Sequence, residues 1–200
     1  NVWLGPQLHA VHYPVRRGEL LNLVVIVEGP APEDLTQWDH AANALQLARA
    51  LQGSCAALRD VVGSVEASGG QWRLWPLSDR APLTGPQGMA RGLVGLIGDA
   101  AHPMRPYLAQ GAGMAIEDAA ELQRALAMAD LDVSTRLRRY ALNRWQRNAR
   151  VQARSIRNGE IFHATGLMRW GRDSALRLLG SRLMDVPWLY RGDGACATGW

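Results

Sequence analysis

The alternation of hydrophobic and polar positions begins with the period of strands. His9-Ala-Val-His-Tyr-Pro-Val15 carries β-branched and aromatic residues, and Leu20 to Glu28 is rich in Val and Ile. Arg16-Arg-Gly-Glu19 between them reads as a turn, so the two runs are expected to form a hairpin, which Gly29-Pro-Ala-Pro32 ends. The period then becomes helical. Over 36–51, Trp38, Ala41, Ala42, Leu45 and Ala48 recur at helical spacing behind Thr36 as N-cap. Over 54–66, Leu58, Val61, Val62 and Val65 form one stripe behind Ser54 as cap. Trp72-Arg-Leu-Trp75 alternates like a strand until Pro76, and 78–91 is loop-like, with Pro82, Gly85, Pro86 and Gly88.

Gly92-Leu-Val-Gly-Leu-Ile97 is apolar on both faces, the pattern of a strand buried in a sheet covered on both sides. It runs into Gly98-Asp-Ala-Ala-His-Pro103 and a loop rich in Pro and Gly that reaches Gly113. A helix is predicted over 114–129, where Met114, Ala115, Ala119, Leu122 and Leu126 recur. A basic helix is predicted over 134–156, and a third over 167–184 with Leu176, Leu179 and Leu183. There are no internal repeats or low-complexity tracts.

Composition narrows the classes. Of 200 residues, 48% are apolar and 20% charged, which is a globular balance and not a disordered one. The longest apolar runs, such as Leu23–Val27, fall far short of the roughly 20 residues of a membrane helix. All 22 basic residues are Arg, against 18 acids, for a net charge of +4. The absence of Lys is a compositional habit, so clustered Arg is weaker evidence for phosphate binding than usual. Two cysteines, Cys55 and Cys196, indicate no disulfide framework.

The candidate chemistry lies in Gly98-Asp-Ala-Ala-His-Pro-Met-Arg-Pro106-Tyr-Leu-Ala-Gln110-Gly-Ala-Gly113-Met-Ala-Ile-Glu-Asp118-Ala. A strand delivers the carboxylate of Asp99 at its C-terminal end, where ligands sit in open α/β sheets. Gln110-Gly-Ala-Gly113 then opens a helix whose first N–H groups have no intrahelical partner, an end suited to phosphate or developing negative charge. Gly111 and Gly113 let a flat ligand approach the backbone. By itself the pattern also fits an ordinary strand–loop–helix crossover with Asp99 as a cap.

These residues resemble a family. Gly98-Asp-Ala-Ala-His-Pro103, then Pro106, Gln110-Gly111 and Glu117-Asp118-Ala119, are similar to the second flavin-binding signature of FAD-dependent aromatic-ring monooxygenases, the 4-hydroxybenzoate hydroxylase-like family. His12-Tyr-Pro-Val-Arg16 with Asn22-Leu-Val24, Trp75-Pro-Leu77 with Asp79-Arg-Ala-Pro82, Arg157-Asn-Gly159 and Trp188-Leu-Tyr190 resemble its salicylate and 3-hydroxybenzoate hydroxylase branch. The resemblance implies an α/β fold, α+β in this stretch: a partial FAD-binding Rossmann-like domain, part of a substrate-domain β-sheet and a C-terminal helical region. The expected division is 1–80 for the substrate domain, 81–132 for the C-terminal part of the FAD-binding domain and 133–200 for the helical region.

The resemblance also implies roles. FAD is the expected cofactor, held by Gly98, Asp99, Pro106, Gln110, Gly111, Ala112, Gly113 and Met114, with Asp99 on a ribityl hydroxyl and the helix start facing the pyrimidine edge. NADH or NADPH reduces FAD, O2 adds to give a flavin C4a-hydroperoxide, and an OH passes to a small hydroxybenzoate-like aromatic ring. Anionic reduced flavin is the charge that a helix N-terminus stabilises. His12, Pro106 and Gln110 are the expected catalytic residues, and His12, Tyr107 and Gln110 the expected substrate contacts. His12 is the candidate base for a phenol; a core histidine bonded to backbone is the equal alternative. His9 points to the opposite side of the strand from His12. His102 is read as packing the loop, and Arg16 and Arg80 as possible partners for a carboxylate or pyrophosphate.

Other site types fare worse. His9 and His12 lack further ligands at metal spacing, so no metal is expected. The arginines of 136–157 are read as a solvated or ion-paired helix face opposite Leu137, Tyr140, Ala141, Trp145 and Val151, not as a nucleic-acid patch. The eight tryptophans are read as core anchors. The expectation is a cytoplasmic enzyme with no nucleic acid or membrane partner, compatible with a homodimer.

A dinucleotide-binding flavoprotein opens with a strand, a Gly-x-Gly-x-x-Gly turn and a helix, and the sequence contains none. The chain is therefore expected to be the C-terminal half of a hydroxylase, to bind FAD poorly alone and to leave strand 92–97 with an unpaired edge and a bare apolar face. The alternatives are another flavin oxygenase of quinone-pathway type and a non-catalytic interaction module.

Overall fold

The structure is a computed structural model that describes residues 1–190 except 32, 35, 37–39, 42, 43, 181, 183 and 184. The fold is mixed α and β. The chain separates into two compact units, Asn1–Leu77 with Glu160–Arg172, and Ser78–Gly159 with Asp173–Trp200. Residues from 133 onward do not form a unit of their own; they are shared between these two.

The first unit is built on an antiparallel sheet of β1 (Val2–Gly5), β2 (Leu8–Val15) and β3 (Leu20–Val27), in the order β1-β2-β3. The expected hairpin forms with Val15 opposite Leu20, and Arg17 (φ 59°) and Gly18 (φ 94°) turn the chain. Alternation sorts the side chains of β2. Leu8 and Ala10 are buried with Leu51, Leu58 and Val62. His9, on the other face, lies against Phe162 with ring centroids 5.2 Å apart.

The helix expected over 36–51 is shorter. His40–Ala41 is instead a strand, β4, paired with β5 (Arg73–Leu74), and α1 spans Ala44–Ala50. Thr36 does not cap it: its N–H and hydroxyl both donate to Asp34 Oδ1, at 2.8 and 2.6 Å, in a local turn that competes with helix. Trp38 and Ala42 lie outside the described residues. α2 spans Ala56–Ala67 behind exposed Cys55, not Ser54, and buries Leu58 and Val62. Cys196 lies outside the described residues.

The second unit holds a short ribbon of β6 (Ala90–Arg91) and β7 (Val94–Gly95), then α3 (Gly111–Leu126), most of α4 (Val133–Phe162), part of α5 (Gly166–Leu179) and α6 (Pro187–Tyr190). The segment 92–97 is not a strand covered on both sides. Only Val94–Gly95 pairs, with β6, and Leu93 and Val94 are 76% and 63% exposed. Its apolar residues read as buried because a parallel sheet would bury them; among the described residues β7 has no parallel neighbour. α5 ends at Leu179, and Leu183 lies outside the described residues.

α3 and α4 pack antiparallel, since contacts run from Asn143 on Glu121 through Arg144 on Asp118 to Arg147 on Glu117. Leu83, Met89, Ala101, Ala125, Tyr140 and Ala141 form one core beside them, and Met114, Val151, Val186 and Leu189 another. No helix among the described residues is long and apolar enough to cross a membrane.

Candidate cofactor site

β7 leads into a tight 3-10 turn, Gly98–Ala100. Gly98 adopts φ +58°, and a Cβ there would lie 3.2 Å from that of Ala115 in α3, so both conformation and space require glycine. The turn presents the exposed carboxylate of Asp99 beside the start of α3: Oδ1 lies 3.8 Å from where a Gly111 Cβ would stand.

A second 3-10 turn, Pro106–Leu108, closes with the Ala109 N–H on the Pro106 carbonyl at 3.3 Å. Ala109 then takes the left-handed conformation, φ 52° and ψ 34°, and reverses the chain into Gln110. Gln110 is the N-cap of α3 but its side chain makes no capping bond. The helical ladder starts with the Met114 N–H on the Gln110 carbonyl at 2.9 Å. The amides of Gly111, Ala112 and Gly113 therefore precede the ladder and meet no side-chain cap. A carboxylate that accepts a hydroxyl and an uncapped helix N-terminus that favours negative charge stand side by side.

What holds this arrangement is Asp118, fully buried about two turns into α3. Oδ2 accepts from the Gly98 N–H at 3.2 Å and from His102 Nε2 at 2.5 Å; Oδ1 accepts from Arg144 Nε at 2.8 Å and Asn148 Nδ2 at 3.0 Å. Burial opposes ionisation, but the hydrogen bonds from His102, Asn148 and Arg144 outweigh it and bring the Asp118 pKa down to about 2. Beside it Glu117 meets Arg144 and Arg147, each at 2.7 Å, and these bonds overcome burial and lower its pKa. Tyr140 donates to the Leu96 carbonyl at 2.8 Å, which pins the segment entering the turn, and burial pushes its phenol pKa up. Arg80 donates to the Ala101 carbonyl at 3.1 Å, so its partner is the loop backbone.

The structure thus brings Gly98, Asp99, Pro106, Gln110, Gly111, Ala112 and Gly113 into one unit at one turn–helix junction. Two residues expected to meet ligands have other work. Met114 is 1% exposed and packs with Val151, Val186 and Leu189, and its N–H is already bonded. Tyr107 is buried, with its ring against Gly159 of α4. His12 belongs to the other unit. It is 8% exposed; Trp3 Nε1 donates to its Nδ1 at 3.4 Å and Asn1 Nδ2 lies 2.6 Å from its Nε2. His9, on the opposite side, lies 2.7 Å from His163, which in turn lies 2.8 Å from Glu28. Burial first, and His163 second, hold His9 near pKa 4. Among the described residues no group of three or more His, Cys, Asp or Glu side chains is placed to hold a metal.

The pattern of α4 contained a signal that its arginine count obscured. At 100° per residue, Arg144, Asn148, Gln152 and Ser155 share the face of Tyr140, Ala141 and Val151, not the opposite one. All four are buried. The ion-paired part of that helix lies inside the unit.

Comparison with known proteins meets the same features. Residues 65–155 match the FAD binding domain family. The chain is 35% identical over 193 residues to 3-hydroxybenzoate 6-hydroxylase of Polaromonas naphthalenivorans, covering 95% of this chain and 46% of that protein. It is 36% identical over 194 residues to 3-amino-4-hydroxybenzoate 2-monooxygenase PtmB3 of Streptomyces platensis, covering 96% and 47%. A solved salicylate hydroxylase substrate complex superposes with a TM-score of 0.78 at 28% identity, over 98% of this chain and 47% of that one. The likeness is to the FAD-dependent aromatic-ring monooxygenases, and it extends over nearly the whole chain. Within them it is to the hydroxybenzoate and salicylate hydroxylases, and the chain spans about half the length of the curated relatives it matches.

Proposed function

We propose that this chain supplies the flavin-ring end of the cofactor site, and part of the substrate sheet, of an FAD-dependent hydroxylase acting on a small hydroxybenzoate-like aromatic acid. The observation that carries the reading is the junction of exposed Asp99 with the uncapped start of α3, both braced by buried Asp118. The residues present fit FAD. Asp99 offers a carboxylate to a hydroxyl of the cofactor chain. The glycines at 111 and 113 bring backbone amides close to a flat ring, where Gln110 and Ala112 complete the helix start.

When bound and reduced by NADH or NADPH, FAD activates O2 for transfer of one oxygen atom to the ring. The protein's own share is orientation and proton handling. The start of α3 stabilises negative charge at the ligand edge. Pro106 brings no N–H of its own to the loop. His12 is the proposed base that takes the phenolic proton. A need for NADH or NADPH supports a cytoplasmic location.

The test uses the intact protein with a panel of hydroxybenzoates. Bound FAD and NAD(P)H oxidation that an aromatic acid stimulates are expected. Absence of flavin binding, or oxidation indifferent to every aromatic acid, would overturn the reading. Replacing Asp99 with Ala should cost about tenfold in FAD affinity, the loss of one hydrogen bond to a charged group.

A further inference from the structure

The loop from Pro103 to Ala109 makes few bonds to itself. Pro103 and Pro106 have no N–H to donate, and within the loop the Ala109 N–H on the Pro106 carbonyl is the one backbone bond among the described residues. Its other carbonyls need donors from outside. α4 provides them in register. Gln152 Nε2 donates to the Pro103 carbonyl at 3.2 Å, Ser155 Oγ to Arg105 at 2.6 Å and Asn158 Nδ2 to Tyr107 at 3.3 Å. The acceptors are alternate residues of the loop, and the donors are spaced three apart along the helix.

The donors are themselves fixed. Gln152, Ser155 and Asn158 are at most 6% exposed. Gln152 Oε1 accepts from the Leu83 N–H at 3.2 Å, which sets which end of its amide faces Pro103. Gly159 completes the seat, since a Cβ there would stand 2.8 Å from Cδ2 of Tyr107. A helix interior normally loses stability at glycine, so the residue is explained by the ring it admits.

We infer that this face of α4 is a template for the loop that carries Pro106. Gln152, Ser155 and Asn158 are positioning residues, and Gly159 is the steric seat. The inference rests on the flavin reading for its functional meaning, while the template itself can be measured without flavin.

The experiment follows amide hydrogen exchange in the intact protein, with and without FAD, for Ser155→Ala, Ser155→Thr and Asn158→Ala, with exposed Arg157→Ala as control. Ser155→Ala and Asn158→Ala should each raise exchange of the amides of 104, 105 and 107–109 about tenfold, and leave α3 and the first unit unchanged. Ser155→Thr keeps the hydroxyl and should restore protection. With FAD bound, the two Ala variants should lower the product formed per NAD(P)H oxidised by several-fold, at nearly unchanged KM for the aromatic acid. Unchanged exchange in the loop, or a uniform rise throughout the unit, would overturn the template. If Ser155→Ala fails to fold, the less buried Asn158→Ala gives the decision. Failure of the flavin reading would be separate: the unsubstituted protein would bind no FAD while the exchange pattern still held.

Discussion

Two buried polar clusters, one in each unit, resolve the same problem in opposite ways. Asp118 and His9 are both almost fully enclosed, and burial alone disfavours charge on either. Around Asp118 four donors converge, two on each oxygen, and an arginine is among them, so the charged form wins. Around His9 the neighbour is another imidazole, which adds to burial, so the neutral form wins. The lesson is that burial keeps an interior group neutral unless enough partners oppose it, as the donors around Asp118 do and the imidazole beside His9 does not. The charged cluster braces a turn and a helix start; the neutral one joins β2 to the residues that follow α4.

The largest expected effect is at Asp118. Asp118→Asn leaves Arg144 with Glu117 alone and puts an amide nitrogen where Asp118 accepts from buried donors; breaking a buried pair from one side costs up to about 3–5 kcal/mol. Chemical denaturation should show this loss, together with weaker FAD binding. A loss under about 1 kcal/mol would mean that the cluster is not ionised as described.

Acid should separate the two clusters. His9 has its folded pKa depressed, from 6.5 to about 4, so the unfolded chain binds more protons between those values. Its contribution is intact above pH 6.5 and declines as pH falls towards 4, by on the order of 3 kcal/mol. Unfolding free energies measured from pH 7 to 4 should fall, and His9→Asn should flatten that slope. Asp118 acts lower. Its pKa of about 2 lies below the ordinary 3.8, so its contribution is present above pH 3.8 and is lost as pH falls towards 2, by about 2 kcal/mol. A single transition common to both pH ranges would contradict the contrast.

The smallest effect concerns the loop itself. Ala109 sits at φ 52°, where glycine carries no penalty. Ala109→Gly should stabilise the protein by roughly 0.5 kcal/mol, after the extra chain entropy of glycine is offset, with a small rise in Tm.

Much of the site is legible in the amino-acid sequence. Gly98, Asp99 and Gly111 stand together because a strand end, a tight turn and a helix start are local events, coded by neighbouring residues. The hairpin around Arg17 and Gly18 is legible for the same reason. The helix expected from Thr36 is not, because a turn on Asp34 and pairing of His40 with Leu74 compete with helical spacing. Met114 and Tyr107 lie inside the motif and so read as ligand contacts, yet they face the cores of their unit. Position within a motif does not give the direction of a side chain.

By itself the sequence determined the period of most elements, the hairpin turn and the flavin-type signature, since each depends on residues within a few positions. Tertiary structure alone decided the roles of Asp118, Arg144, Gln152, Ser155 and Asn158. Their partners named above are 16 to 69 residues away in the chain, and a hydrogen bond at 3 Å exists only once two helices and a loop have packed. The same packing placed part of a helix face that reads as solvated or ion-paired arginine inside the unit, because carboxylates on α3 were there to receive it.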